Sequence, residues 1–258
     1  MRLHFADYGR DQASTLIILH GLLGSERNWH SVARELEKHV HVIALDLRNH
    51  GLSPHDGIHT IASMRIDLEE FVEDHALEKF FLLGHSMGGH VAMDYAFHHP
   101  GRLHGLIVED ITPRSYGTGL TGVISAMMNI DLSLFHEKKS VDAALAANVA
   151  DPVVRHFLMT NLVRHEDSLA WRANLPVLMH FVQNDIPRFK ADEKARYDGP
   201  TMFIGGQQSA YYIADETALI LKHFPDAEIV MVENARHWVH FDAKETFIGL
   251  VNDFCTLK

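Results

Sequence analysis

Apolar runs alternate with amphipathic stretches through the first 110 positions. Leu3 to Tyr8 reads as a short edge strand, ended by Gly9-Arg10-Asp11. Thr15-Leu16-Ile17-Ile18-Leu19 and Val40 to Leu45 are continuous apolar runs, as expected for strands inside a parallel sheet covered by helices. Trp29, Val32, Ala33 and Leu36 share one stripe of a helix ending at Leu36. Ile61, Met64, Leu68, Phe71 and Val72 share a stripe of another, from Ile61 to Leu77. Phe80 to Leu83 is a further buried strand, followed by a helix with Val91, Ala92, Tyr95 and Ala96 inward that stops at His99-Pro100. Leu103 to Val108 then leads to Glu109-Asp110-Ile111-Thr112-Pro113. This rhythm predicts βαβ crossovers and a doubly wound α/β architecture.

The rhythm breaks between residues 113 and 197. Helical patterns cover Leu120 to Leu132, Ser140 to Val149 and Asp151 to Arg164, and Leu175-Pro176-Val177-Leu178 starts another. Asp151 is placed as an N-cap with Pro152 at the first helical position, where a missing N–H costs nothing. The pattern is that of a helical cap (113–197) inserted into a sheet domain (1–112 and 198–258), or of helices that only shield a sheet edge. Thr201 to Ile204 resumes the sheet, a helix is expected from Ala210 to His223, and Glu228 to Val232 is the last strand. Asp242 is expected to cap a closing helix carrying Phe247, Val251 and Phe254.

Candidate chemistry centres on Gly84-His85-Ser86-Met87-Gly88, set between the strand and the helix. A small-x-Ser-x-small turn in that setting is a nucleophile elbow, which lifts the serine clear of the sheet. A serine hydroxyl needs a neutral imidazole to take its proton. Position selects His237, on the loop after the last strand, with His240 its nearest rival. The loop after Thr201–Ile204 is the usual place for the acid, but it reads Gly205-Gly206-Gln207-Gln208-Ser209-Ala210-Tyr211, without a carboxylate. Asp110, ending the strand expected beside the serine's, is the candidate; Glu109 and Asp215 remain as alternatives. Oxyanion donors are expected from the amides of Met87 and of Leu22, in the His20-Gly21-Leu22 loop. Met127, Met128, Phe135, Phe157, Leu158, Trp171 and Trp238 are candidate pocket residues, although residues at helical spacing are more often the cap's own core.

Composition narrows the classes. The 258 residues are 47% apolar and 22% charged, as in a globular chain, with 23 basic against 34 acidic residues and a formal charge of −11. That field, without a dense Lys/Arg cluster, argues against nucleic acid as a partner. No apolar window is long enough for a membrane span, and the N-terminal segment does not read as a signal peptide. One cysteine, Cys255, makes an internal disulfide impossible and suits a reducing compartment, the cytoplasm by default. The 21 histidines include no His-x-x-x-His pair with a glutamate and no Cys/His cluster; His237-x-x-His240-x-Asp242 is the nearest ligand set and competes with the catalytic one. No dinucleotide or phosphate-loop fingerprint is present, so neither metal nor cofactor is expected.

His20-Gly21, Asp46-x-Arg48-x-x-Gly51-x-Ser53, Gly84-His85-Ser86-Met87-Gly88-Gly89 and His237-Trp238 together resemble the α/β-hydrolase superfamily. Asp46 to Pro54, with Asp110-Ile111-x-Pro113, is similar to YbfF-type bacterial esterases, whose eukaryotic relatives are mitochondrial ABHD11-type hydrolases. The resemblance implies an α/β-hydrolase fold with a helical cap after the sixth strand, the acid following that strand, and a Ser-His-Asp carboxylesterase or acyl-CoA thioesterase. Its partner would be a small ester or thioester, and the chain a monomer or homodimer. Asn234-Ala235-Arg236-His237 departs from the Gly-x-Gly-His form common before the base. Arg236 is accordingly expected to face outward or to meet an anionic substrate group. A carbon–carbon bond hydrolase or a cofactor-free haloperoxidase-like enzyme would use the same residues, and a non-catalytic binding protein would use none of them.

Overall fold

The structure, a computed structural model, describes residues 1–257 apart from 118, 167, 187–190 and 212. Its strands are β1 (Phe5–Tyr8), β2 (Thr15–Leu19), β3 (His41–Leu45), β4 (Phe80–His85), β5 (Leu103–Glu109), β6 (Leu162–His165), β7 (Ser168–Trp171), β8 (Thr201–Gly206) and β9 (Ala227–Val232). Seven form one sheet in the order β1-β3-β2-β4-β5-β8-β9. Within this sheet, among the described residues, only the pairing of edge strand β1 with β3 is antiparallel.

The apolar runs explain the layers. Alternate residues of a strand face opposite sides. Leu16, Ile18, Val42, Ala44, Phe81 and Leu83 pack with α1 (His30–Leu36) on one face; α10 (Lys244–Leu257) joins them through Phe247, Val251 and Phe254. Ile17, Leu19, Ile43, Leu45, Leu82 and Val108 pack on the other face with α2 (Ile61–Asp74) and α3 (Met87–His98). The chain leaves β2 toward β3 on one side and returns to β4 on the other. The loops after β2 and β4 therefore meet in a crevice at the strand ends, where such sheets bind ligands.

Between β5 and β8 lies the insertion: α4 (Thr121–Met128), α5 (Lys138–Leu145), α6 (Pro152–Met159), the β6–β7 hairpin and α7 (Leu175–Asn184). Counted along this chain it follows the fifth strand rather than a sixth. It is not wholly helical either. The helix expected from Asp151 to Arg164 stops at Met159, because Leu162–His165 pairs with Ser168–Trp171 as an antiparallel hairpin. Asp151 does cap α6, accepting the Val153 amide at 2.8 Å. The helix expected from Ala210 to His223 is likewise shorter: a 3₁₀ turn (Ile213–Glu216) precedes α8 (Thr217–His223). Asp242 does not cap the closing helix but ends the one-turn helix α9 (Val239–Asp242). Among the described residues, no helix is long and apolar enough to cross a membrane.

Candidate active site

Ser86 sits between β4 and α3 with φ 53° and ψ −117°, a conformation costly for any residue but glycine. The surrounding glycines permit it: a Cβ on Gly84 would lie 2.2 Å from the Gly88 carbonyl oxygen. The loop after β2 presses against this turn, since a Cβ on Gly21 would lie 3.2 Å from the Ser86 Cβ. Leu22 follows, and two buried histidines fix its surroundings. His50 donates from Nδ1 to the Arg48 carbonyl (2.9 Å) and accepts the Leu23 amide at Nε2 (3.0 Å). His20 donates from Nδ1 to the Gly21 carbonyl (2.7 Å) and accepts the Leu47 amide at Nε2 (3.0 Å). These partners assign the tautomers. Burial holds both rings below the usual histidine range, so both stay neutral and able to accept. From the insertion, Asn161 donates to the Leu23 carbonyl at 2.7 Å.

The Asp46 to Ser53 segment braces the same region rather than reaching the serine. The Asp46 carboxylate accepts the amides of Glu26 and Leu52, each at 2.7 Å, and Arg48 forks onto buried Asp67.

Asp110 directly follows β5, which lies beside the nucleophile's strand, in a left-handed conformation with φ 51°. Its amide donates to the Ile204 carbonyl at 2.8 Å, and its carboxylate is fully buried. Oδ2 receives His237 Nδ1 at 2.7 Å and the Ser209 hydroxyl, while Oδ1 receives the Gly206 amide at 3.1 Å. The His237 loop is clamped at both flanks. Asp242 accepts the Arg236 amide at 2.8 Å, and His85 Nε2 donates to the His237 carbonyl at 3.0 Å. Tyr211 stacks on the His237 ring with centroids 4.1 Å apart and lines the same cavities as Ser86. Burial pushes the Tyr211 phenol up to about 12, which keeps it protonated.

Ser209 and Tyr211 were not among the candidates read from the sequence. Their signal was indirect: they occupy the very loop that lacks the expected carboxylate. The alternatives for acid and base lie elsewhere. Glu109 hydrogen bonds to His240 rather than to His237, and Asp215 is exposed on the 3₁₀ turn. His85, Glu109 and His240 come close enough to share an ion, as do His4, Glu26 and Asp46. Both sets are engaged as hydrogen-bond networks: Glu109 serves His240, His85 serves His237, and Asp46 serves two amides.

Two cavities flank Ser86. One, of about 330 Å³, is lined by Leu22, Met87, Ile111, Leu120, Val182 and Ile186 beside the serine. The other, of about 350 Å³, opens toward His237 and is lined by Phe157, Leu158, Arg236 and Trp238 among others. Met127, Met128, Phe135 and Trp171 line neither. Met127 is buried in the core and its carbonyl accepts the Trp171 indole N–H at 3.0 Å; Phe135 packs on a small cluster around Val141 and Leu162; Met128 faces solvent. Met127, Phe135 and Trp171 are the insertion's own packing. Arg236 is half-exposed and already faced by two carboxylates, Asp151 at 3.4 Å and Asp242 at 3.6 Å.

Known proteins are similar to this chain over most of its length. The family described as "Alpha/beta hydrolase family" matches residues 16–249. The sn-1-specific diacylglycerol lipase ABHD11 of Danio rerio is 35% identical, over 95% of this chain and 80% of that protein. Esterase YbfF of Escherichia coli strain K12 is 30% identical, over 93% of this chain and 92% of that protein. A solved structure described as a marine microorganism esterase superposes with a TM-score of 0.92 at 33% identity, covering 98% of both chains.

Proposed function

This chain belongs to the alpha/beta hydrolase family, and we propose that it is a serine hydrolase of carboxylic esters and acyl-CoA thioesters, with Ser86, His237 and Asp110 as its catalytic residues. The observation that carries the reading is a serine on a strained elbow, sharing a cavity with an imidazole whose far nitrogen is 2.7 Å from a buried carboxylate.

In this mechanism His237 Nε2 takes the Ser86 proton as Oγ attacks the acyl carbonyl. The oxyanion accepts hydrogen bonds from the Leu22 and Met87 amides, the latter in the first turn of α3, where helix amides lack an intrahelical partner. The imidazolium then protonates the departing alcohol or thiol, and water repeats the path to release the acid. Asp110 keeps the proton on His237 Nδ1 and offsets the imidazolium charge without taking the proton itself. Because the base must reach the leaving group, the cavity beside His237 receives the alcohol or thiol. The apolar cavity over Met87 and Ile111 receives the acyl chain. The same proposal treats residues 113–197 as a cap over a core of 1–112 and 198–258. It also sets the enzyme in the cytoplasm, consistent with a single buried Cys255 whose thiol burial pushes up to about 12.

Hydrolysis of p-nitrophenyl esters from acetate to palmitate, with acyl-CoA thioesters alongside, tests the reading in wild type and Ser86→Ala. An acyl cavity near the small end of ligand sites predicts an optimum well short of palmitate. Loss of roughly three or more orders of magnitude in the mutant is expected. A wild type that turns over none of these compounds would overturn the proposal.

A further inference from the structure

Behind the catalytic histidine lies a second carboxylate–imidazole pair. Glu109 ends β5 and Asp110 follows it with φ 51°, and the two carboxylates meet different histidines. Glu109 is fully buried. Its Oε1 accepts the backbone amide of His240 at 2.9 Å, and both oxygens lie within 2.9 Å of His240 Nδ1, which donates to them. Glu109 also contributes its main chain, since its carbonyl accepts the Ser86 amide at 3.0 Å. His240 is packed flat on Trp29, with centroids 4.2 Å apart. His85 stands between the two pairs, 4.7 Å from the His237 ring and 5.1 Å from the His240 ring. Consecutive carboxylates thus hold the two histidines of His237-x-x-His240, one at the ring that faces the substrate and one at the ring that anchors the loop.

Such a buried anion is expensive unless it does something for its neighbours. Apolar packing would fill the space at lower cost. We propose that Glu109, acting through His240, is a positioning residue for the catalytic base: it holds the loop that carries His237 and sets a second negative charge behind the imidazolium. The inference rests on the roles proposed above for Ser86 and His237.

The groups facing Glu109 are His85 from β4, His237 and His240 from the base loop and α9, and Asp110 directly after its own strand; Asp242 faces His240 in turn. Burial pushes Glu109 up to about 7 and His240 and His85 down to about 3 each. The Glu109 charge is therefore lost as pH falls through the neutral range. When an ionisable group interacts with a base, the protons of the pair leave in two apparent steps.

The pH dependence of kcat/KM for a p-nitrophenyl ester, in wild type and Glu109→Gln, reads this directly. The glutamine keeps the shape and still accepts the His240 amide. Wild type is expected to show two ionisations on its acid limb. Glu109→Gln is expected to show one, displaced to lower pH by roughly 0.5–2 units, because an imidazolium without the anion behind it gives up its proton more readily. Superimposable profiles, even at uniformly reduced activity, would make Glu109 a structural residue and overturn the inference. Should Glu109→Gln not fold, the wild-type limb decides: a single ionisation overturns it. Should wild type hydrolyse no ester, the NMR titration of the His237 ring decides instead. A two-step curve supports the inference and a one-step curve overturns it, whatever becomes of the proposed reaction.

Discussion

Asp110 fixes which nitrogen of His237 carries the proton, through one 2.7 Å contact to Nδ1. Asp110→Asn keeps the size of the side chain but offers an N–H where an acceptor is needed. Its kcat is expected to fall about 10⁴-fold on the best ester, with the fold retained by circular dichroism. Arg236 illustrates the opposite case. Read from sequence alone, a cation beside the base invites a partner on an anionic substrate. In the structure, Asp151 and Asp242 already face the guanidinium. Arg236→Ala is accordingly expected to leave the ratio of kcat/KM for carboxylate-bearing and neutral esters within about twofold. The lost half-exposed ion pairs should lower stability by at most about 1 kcal/mol, read from a urea midpoint. A selective loss on anionic esters would restore the substrate-binding role.

Elements with long apolar runs or clear stripes were readable in the sequence, and short elements without them were not. β2 through β5 and the helices between them carry unbroken apolar runs or clear stripes, so their layers follow from periodicity. The elbow was legible because steric demand confines its residue types: Gly84→Ala would drive a Cβ onto the Gly88 carbonyl. It is expected to cost about 3 kcal/mol or more in chemical denaturation. By contrast, β6 and β7 are four residues each, too short for any period to register, and exist because they pair with each other. Their pairing ended the α6 helix early. At the site, Ser86 and His237 were recoverable from spacing, and Asp110 from the vacancy after β8. Ser209, Tyr211 and the Glu109–His240 pair were not, since hydroxyl and ring contacts made across loops leave no trace in local pattern. The pocket candidates divided the same way: the side chains nearest the base line a cavity, whereas Met127 and Trp171 serve packing within the insertion.

Across the whole molecule, the many histidines become a statement about acid stability. Burial pushes His59, His85 and His240 down to about 3 and His90 to about 4, so in the folded protein they are neutral where the unfolded chain would charge them. The unfolded state then binds more protons below about pH 6.5, and stability falls as pH drops from there toward the folded values. Each such group contributes up to about 3 kcal/mol of loss at pH 4. Glu109 works the other way: raised to about 7, it favours the folded state below its unfolded value and loses that contribution as pH rises through 7. Thermal melting is therefore expected to show a steep decline from pH 6.5 to 4. His59→Phe should lessen it, since the His59 Nε2 is buried without a hydrogen-bond partner among the described residues. An unchanged slope in that variant would contradict the assignment.

All of these effects converge on Ser86, and covalent labelling tests that centre most directly. Intact mass spectrometry of the protein after exposure to a fluorophosphonate, followed by peptide mapping, is expected to find a single adduct on Ser86. The labelling rate should drop by orders of magnitude in Asp110→Asn and vanish in Ser86→Ala. An unlabelled wild type, or an adduct on another residue at the same rate in all three proteins, would contradict the account.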